Sequence, residues 1–356
     1  MTDTIETAAG TADPEHVEAF VAAGDLRDPR WASRSSSEAY TRLILGLAAT
    51  RSHELLLAGD GMARARALVA QSLGTESAAV LGLFEMALDP TGAAAATDTI
   101  ERAVAWARAR GLATLYAPVD LNTWFDYRFM LPPERAAADV PTRPWEPIHP
   151  PAYLELFRAR GFTEVERYET TAILLPRTGA YTGASAVEQT RDAWRKAVDS
   201  GITFDRLTDP AALPPLLDEL YPLCMEAFSD NLLFEPLPAS VFRSLHVSGV
   251  ASRDASATHW ARDEQGRPVG FVFAFREEDA MVVKTIAVDP GLRGRRLSSA
   301  LMHLVIRTAV GSGIHDFVSA LVRRGNTSNF LAQAHLMPGV ASWKHEYVLL
   351  GRQCRP

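Results

Sequence analysis

Apolar and polar positions along this 356-residue chain fall into two alternating patterns. Period-two or continuous apolar runs mark strands, and recurrences at i, i+3 and i+4 mark helices. The first 30 or so residues are polar with little periodicity, fitting a loose arm or a short lead-in helix. Residues 33–47 predict a helix. Residues 53–57 are a short apolar run closed by the turn signal Gly59-Asp60-Gly61. Residues 67–71 and 79–86 predict paired strands. A helix is expected over 97–110, stopped by Gly111. A strand at 112–119, a helix at 151–160 and a long strand at 162–175 follow.

Residues 176–185 form a Gly/Thr/Pro linker. Beyond it the pattern predicts a helix over 186–198, a strand over 202–207, and helices over 212–227 and 239–246. Strands are expected at 259–263, 268–276 and 281–288. A helix over 295–310 places Leu297, Ala300, Leu301, Leu304, Val305 and Thr308 on one face. A strand at 314–322, a helix at 327–335 and a strand at 343–350 complete the series. Both halves run strands, long helix, strand, short helix, strand, which reads as an internal duplication. The expected division is a flexible arm over 1–30, one domain over 31–180 and a second over 181–356.

Composition narrows the classes. Lys and Arg number 36 against 43 Asp and Glu, a net charge of −7. A general nucleic-acid binder carries a basic surplus instead. Hydrophobic residues at 47% and charged residues at 22% are ordinary for a globular protein. No run of about 18 apolar residues occurs, so no membrane-spanning helix is expected. Residues 1–14 lack the basic start and apolar core of a secretory signal. Cys224 and Cys354 make neither a disulfide framework nor a zinc cluster, and a cytoplasmic compartment is expected. The scattered histidines form no metal set, so no metal is expected; His303 is expected on a polar helix face, and His259 and His345 are minor candidates for a general base.

The informative segment is residues 285–301, TIAVDPGLRGRRLSSAL. An apolar strand ends at Val288, Asp289-Pro290 breaks it, and an Arg/Gly loop leads into an amphipathic helix. Free N–H groups at a helix start, aided by the helix dipole, bind anions. Gly294 permits close backbone approach. Arg293, Arg295 and Arg296 add bidentate donors. The order of strand, Asp-Pro, Arg-Gly and helix points to phosphate binding. Signatures for nucleotide hydrolysis and serine-esterase chemistry are missing from the sequence.

This segment resembles the acyl-CoA signature of the GNAT superfamily of N-acyltransferases, Arg/Gln-x-x-Gly-x-Gly/Ala between a strand and a helix. Arg293-Gly294-Arg295-Arg296-Leu297-Ser298 lies on it, with Arg296 at the first glycine position and Ser298 at the second. Residues 81–92, LGLFEMALDPTG, resemble the same unit without the Arg-Gly loop. The resemblance therefore implies a tandem two-module protein with a degenerate N-terminal copy. Its fold class is α+β: two GNAT-like modules, each a mixed, mostly antiparallel twisted sheet flanked by helices.

The resemblance also implies a site. Ile286, Ala287 and Val288 would meet the pantetheine, the Val288 N–H would polarise the thioester, and Arg293 through Ser299, Gly294 and Leu297 included, would hold the pyrophosphate. Asn326 would open the next helix and contribute to both cofactor and catalysis. The tyrosine that often serves as general acid is replaced by Gln333, leaving Tyr347, Ser328, Asn329 or water for that part. Residues 220–242 resemble the helix–loop–helix over the acceptor cleft, where Glu226, Asp230, Asn231, Phe228 and Phe234 would bind the amine and Glu226 would act as base. Trp124, Phe125, Tyr127 and Phe129 form an aromatic loop, read as packing at the module junction or as a lid.

The implied activity is direct acyl transfer in a ternary complex, from acetyl-CoA or another acyl-CoA to an amine on a small molecule or peptide. A long-chain donor, an acyl phosphopantetheine on a carrier protein, and a non-catalytic acyl-CoA-binding role stand as alternatives. Neither nucleic acid nor membrane is an expected partner, and a homodimer is compatible with the chain. The Ala/Arg-rich composition associates it with bacterial secondary-metabolite biosynthesis.

Overall fold

The computed structural model describes residues 13–26, 29–31, 37–133, 142–178, 182–250, 253–325 and 341–354. The N-terminal half contains α1 (Pro14–Ala22), α2 (Glu38–Ala48), β1 (His53–Ala58), β2 (Ala65–Gln71), β3 (Ala78–Met86), α3 (Pro90–Ala109), β4 (Thr114–Ala117), β5 (Phe129–Met130), α4 (Pro151–Ala159) and β6 (Thr163–Leu174). The C-terminal half contains α5 (Gly183–Asp199), β7 (Thr203–Arg206), α6 (Leu213–Ala227), α7 (Ala239–Val250), β8 (His259–Arg262), β9 (Pro268–Glu277), β10 (Ala280–Val288), α8 (Leu297–Gly311), β11 (Asp316–Arg323) and β12 (Ala341–Gln353).

Local chemistry sets many of these boundaries. Asp13 and Ser37 cap α1 and α2 through their side chains. A reciprocal capping box between Thr182 and Ser185 starts α5 inside the expected linker. Residues 53–57 prove to be part of a strand, because they find a partner in β2. The strand expected over 112–119 is shorter, covering Thr114–Ala117 and ending before Pro118, which has no N–H for a ladder. The helix expected over 327–335 lies outside the described residues.

All twelve strands join one sheet in the order β1-β2-β3-β4-β12-β6-β11-β10-β9-β8-β7, with β5 beside β12. Among the described residues only β3–β4 and β10–β11 are parallel. Each of these pairs is bridged by one long helix, α3 or α8, as a parallel connection requires. The two β–α–β units follow the repeated order of elements read from the sequence. The halves are interlocked, because β12 lies between β4 and β6 while β6 lies between β12 and β11.

The apolar faces divide accordingly. Helix α3 covers one face of the N-terminal half, and α8 with α5 covers the same face of the other. On the opposite face, α2, α6 and α7 bury a single cluster that crosses the junction, from Ile44 to Leu220, Phe242 and Phe273. That shared face brings residues from both halves to the end of the β10–β11 pair.

Candidate active site

The parallel ladder of β10 and β11 runs from Ala280↔Asp316 to Val283↔Ser319 and stops. On its other side β10 keeps pairing with β9 as far as Val288↔Gly270, past a bulge between Val283 and Thr285. Among the described residues, therefore, no strand pairs with residues 285–288 on the β11 side. Such an edge can accept an extended, amide-bearing ligand as an added strand. Ile286 and Val288 are half-buried there, and Ala287 is buried.

The edge leads into the Arg/Gly loop. The Asp289 carboxylate accepts the Gly291 N–H at 2.8 Å and pairs with Arg267 at 3.3 Å. Gly294 (φ +82°) and Arg296 (φ +60°) are both left-handed. At Arg296 a side chain carries a steric cost in that conformation that glycine would avoid. Among the described residues no side chain caps α8, which leaves its first N–H groups as donors for a ligand. Gly270 lets α8 close on the strand: a Cβ there would lie 3.1 Å from Leu297 and from Leu301. Arg293, Gly294, Arg295 and Arg296 are exposed, while Ser298 and Ser299 are half-buried. An open strand edge, an uncapped helix start and exposed guanidinium groups together suit a phosphate-bearing pantetheine chain.

The equivalent place in the N-terminal half is already filled. Asp89 accepts the Gly92 N–H at 2.8 Å and pairs with Arg64 at 2.6 Å, so α3 carries its own anion. Hydrogen bonds from Thr91 and Gly92 hold the Asp89 carboxyl below its usual range. Beyond the short β3–β4 ladder, the Val119 N–H donates to the Leu81 carbonyl at 2.8 Å. The Leu83 N–H donates to Asp120 at 2.6 Å, and Tyr40 holds the other carboxylate oxygen at 3.0 Å. A Cβ on Gly82 would sit 2.2 Å from the Val119 carbonyl oxygen, so no ligand strand fits.

The loop after α6 reaches back to the Arg/Gly loop. Arg293 donates to Asp230 at 2.7 Å and to the Ala227 carbonyl at 2.9 Å. Glu226 and Asn231 are exposed nearby in the chain. Phe228 and Phe234 do not stand free over a cleft, contrary to the expectation for acceptor-lining residues. Both pack on Trp124, with ring centroids 5.6 and 5.9 Å away. Apolar burial at the junction outweighs exposure of aromatic surface. The aromatic loop thus packs between the halves. The neighbouring Glu235 is buried and pairs with Arg51 at 2.7 Å, also accepting from the Leu73 N–H at 2.8 Å.

Tyr347 and His345 lie elsewhere than an open cleft. Tyr347 is 0% exposed, and its hydroxyl donates to Glu146. His345 Nδ1 is 2.9 Å from the same carboxylate. Burial, reinforced by Glu146, pushes the Tyr347 phenol well above its ordinary range. Its proton is therefore committed, which does not suit delivery to a leaving group. The period-two pattern of the last strand already aligned Trp343, His345 and Tyr347 on one face, but Glu146, in an irregular segment, gave no sequence signal. Asn326, Ser328, Asn329 and Gln333 lie outside the described residues.

Two other histidines are held by neighbouring hydroxyl groups. His303 is buried between helices, bonded to Thr190 at 3.0 Å and stacked on Trp194, rather than on a polar face. His259 bonds Thr308 at 3.2 Å and lines a groove of about 630 Å³ between β7 and the ends of α5 and α8. That groove shares no residue with the Arg/Gly loop. Among the described residues no His/Cys/Asp/Glu group could hold a metal, and no helix is long and apolar enough to cross a membrane.

Residues 184–321 match the family described as an acetyltransferase (GNAT) domain. A probable N-acyltransferase from Enterococcus faecalis is similar in structure, with TM-score 0.54 and 11% identity over 98% of this chain and 72% of that one. A GCN5-related N-acetyltransferase from Anabaena variabilis gives TM-score 0.54 at 9% identity, covering 98% and 73%. One from Sphaerobacter thermophilus gives 0.42 at 18%, covering 98% and 96%. No curated protein matches the chain. The domain match over residues 184–321 supports an acyltransferase acting on amino groups. Residues 184–321 are thus similar to GNAT acetyltransferase domains, within a fold that carries two β–α–β units.

Proposed function

We propose that the C-terminal module transfers an acyl group, acetyl by default, from a CoA thioester to a primary amine by direct attack in a ternary complex. The open edge over 285–288, running into the uncapped start of α8, is the observation that carries this reading. Backbone groups of Ile286 and Val288 would take the pantetheine amides as a neighbouring strand would. The Val288 N–H would polarise the thioester carbonyl. Arg295, Arg296 and the N–H groups of Leu297, Ser298 and Ser299 would hold the pyrophosphate, with Arg293 at its rim. Glu226, exposed at the end of α6, would take the amine proton through water, and Asp230 and Asn231 would orient the acceptor. The filled splay of the N-terminal half leaves that module to shape the site rather than to bind a donor.

One observation favours a second donor. Arg293 is turned toward Asp230, so fewer cations face the loop than its sequence offers. A carrier-borne phosphopantetheine, with one phosphate and no adenosine, would suit that reduced set. The acceptor would be a small molecule or peptide in bacterial biosynthesis, in a cytoplasmic setting.

The test is calorimetric titration of acetyl-CoA, followed by thiol release with a panel of amines. Micromolar binding with turnover supports acyl transfer. Binding without turnover on any amine favours a non-catalytic acyl-CoA binder. No binding by CoA, with turnover from an acylated carrier protein, moves the donor to the second reading.

A further inference from the structure

Leu321 lies on β11 just beyond the last pairing with β10, at the mouth of the open edge. Its φ is +57°, which a branched side chain adopts only under constraint. The β11–β6 ladder shifts register between Ser319 and Val322, around this residue. Both of its backbone groups are taken by side chains of the N-terminal half. The Leu321 N–H donates to the Thr170 hydroxyl on β6 at 3.2 Å. The Leu321 carbonyl accepts from Arg128 at 3.1 Å. Arg128 is only 4% exposed, and its guanidinium lies 3.6 Å from the Tyr127 ring centroid and 4.0 Å from that of Tyr168.

The hydroxyl chain behind Thr170 fixes which way its oxygen acts. Tyr347 has one hydroxyl proton, and Glu146 takes it. The Tyr347 oxygen, 3.0 Å from Thr170 Oγ1, is then an acceptor for the Thr170 proton. That leaves a Thr170 lone pair for the Leu321 N–H. His345 and the Arg143 N–H hold the same Glu146 carboxylate at 2.9 and 2.6 Å. The chain runs unbroken from a buried carboxylate to the backbone of β11.

We infer that Thr170 and Arg128 keep the donor channel open by occupying the Leu321 backbone groups that would otherwise extend pairing to β10. A strand edge zips onto its neighbour wherever both sides have free N–H and C=O groups. Binding Leu321 from the far side removes that option and leaves 285–288 for a ligand. Thr170, Arg128, Tyr347 and Glu146 are thus positioning residues, and the N-terminal half acts on the donor site of its neighbour. The inference rests on the proposed donor site, but its central claim concerns the strand edge itself.

The test uses the full chain carrying Thr170→Val, which keeps the shape and removes the hydroxyl, with Thr170→Ser as the conservative control and Arg128→Met as an independent variant. Deuterium uptake over 285–288 is followed by mass spectrometry, and acetyl-CoA is titrated in parallel. The expected result is uptake slowed at least tenfold in Thr170→Val and Arg128→Met, with Thr170→Ser like the parent and CoA affinity falling at least tenfold in the slowed variants. Unchanged or faster uptake in folded Thr170→Val overturns the inference, whatever CoA does. Slowed uptake in a chain that never binds CoA upholds the inference and removes CoA as the donor.

Discussion

Arg293 of the Arg/Gly loop and Asp230 of the loop after α6 are joined at 2.7 Å, tying the expected donor side of the site to the expected acceptor side. Both side chains are substantially exposed, at 49% and 74%. An exposed pair of this kind is worth about 0–1 kcal/mol, so it is easily exchanged for a better anion. Asp230→Asn should free Arg293 and tighten CoA binding two- to fivefold with stability unchanged. Arg293→Ala should weaken CoA binding severalfold. Calorimetric titration of both variants reads this directly, and equal affinity in Asp230→Asn and the parent would mean that Arg293 belongs to the acceptor loop alone.

Arg296 combines a left-handed backbone with an exposed cation at the start of α8. Arg296→Gly relieves a strain of about 1 kcal/mol but adds a similar entropy to the unfolded chain, so stability should move by less than about 0.5 kcal/mol. The lost guanidinium should weaken CoA binding by about three- to tenfold if it serves the phosphates. Tighter binding in the glycine variant would instead identify Arg296 as an obstruction that selects another donor. Urea denaturation and titration together separate the two effects.

The sequence made the linear order of elements legible, because period-two and period-3.6 patterns are local. The Arg/Gly loop was legible for the same reason: strand, Asp-Pro, Arg-Gly and helix are contiguous. Strand exchange was not legible. Residues 343–350 read correctly as a strand, but its place between β4 and β6 depends on partners more than 150 residues away. The burial of Phe228 and Phe234 against Trp124 likewise needs the junction to exist. Glu146 was invisible because nothing in an irregular segment announces that its carboxylate meets Tyr347 and His345.

His246 and His259 give the fold a one-sided pH dependence. Burial depresses both to about 4, with the Arg206 charge adding to the effect at His259. The unfolded imidazole titrates near 6.5. Above that pH both are neutral in either state and folding loses nothing. As pH falls from about 6.5 toward 4, the unfolded chain binds protons that the folded chain refuses, and stability drops. The loss is up to about 3 kcal/mol per site. Urea midpoints measured from pH 7.5 to 4.5 should fall, and His259→Gln should flatten part of that slope. A midpoint as steep in the variant as in the parent would show that His259 ionises without cost.

The exchanged strands make a prediction about cutting the chain. Strand β12 supplies the centre of the sheet by pairing with both β4 and β6, while β11 relies on β6 for the neighbour on its other side. A C-terminal fragment beginning at residue 182 would keep α8 and the Arg/Gly loop but expose one edge of β11 and both edges of β12. An N-terminal fragment ending at 178 would likewise lack the strand between β4 and β6. Unpaired edges of this length favour aggregation. Buried pairs such as Arg51–Glu235 at 2.7 Å would also be split, leaving uncompensated charge in each piece. Each fragment produced alone should be insoluble or unfolded by circular dichroism. Co-expressed, they should associate and recover the CoA affinity of the intact chain. A soluble, CoA-binding C-terminal fragment would show that its sheet closes without β6, and that the exchange is dispensable for the donor site.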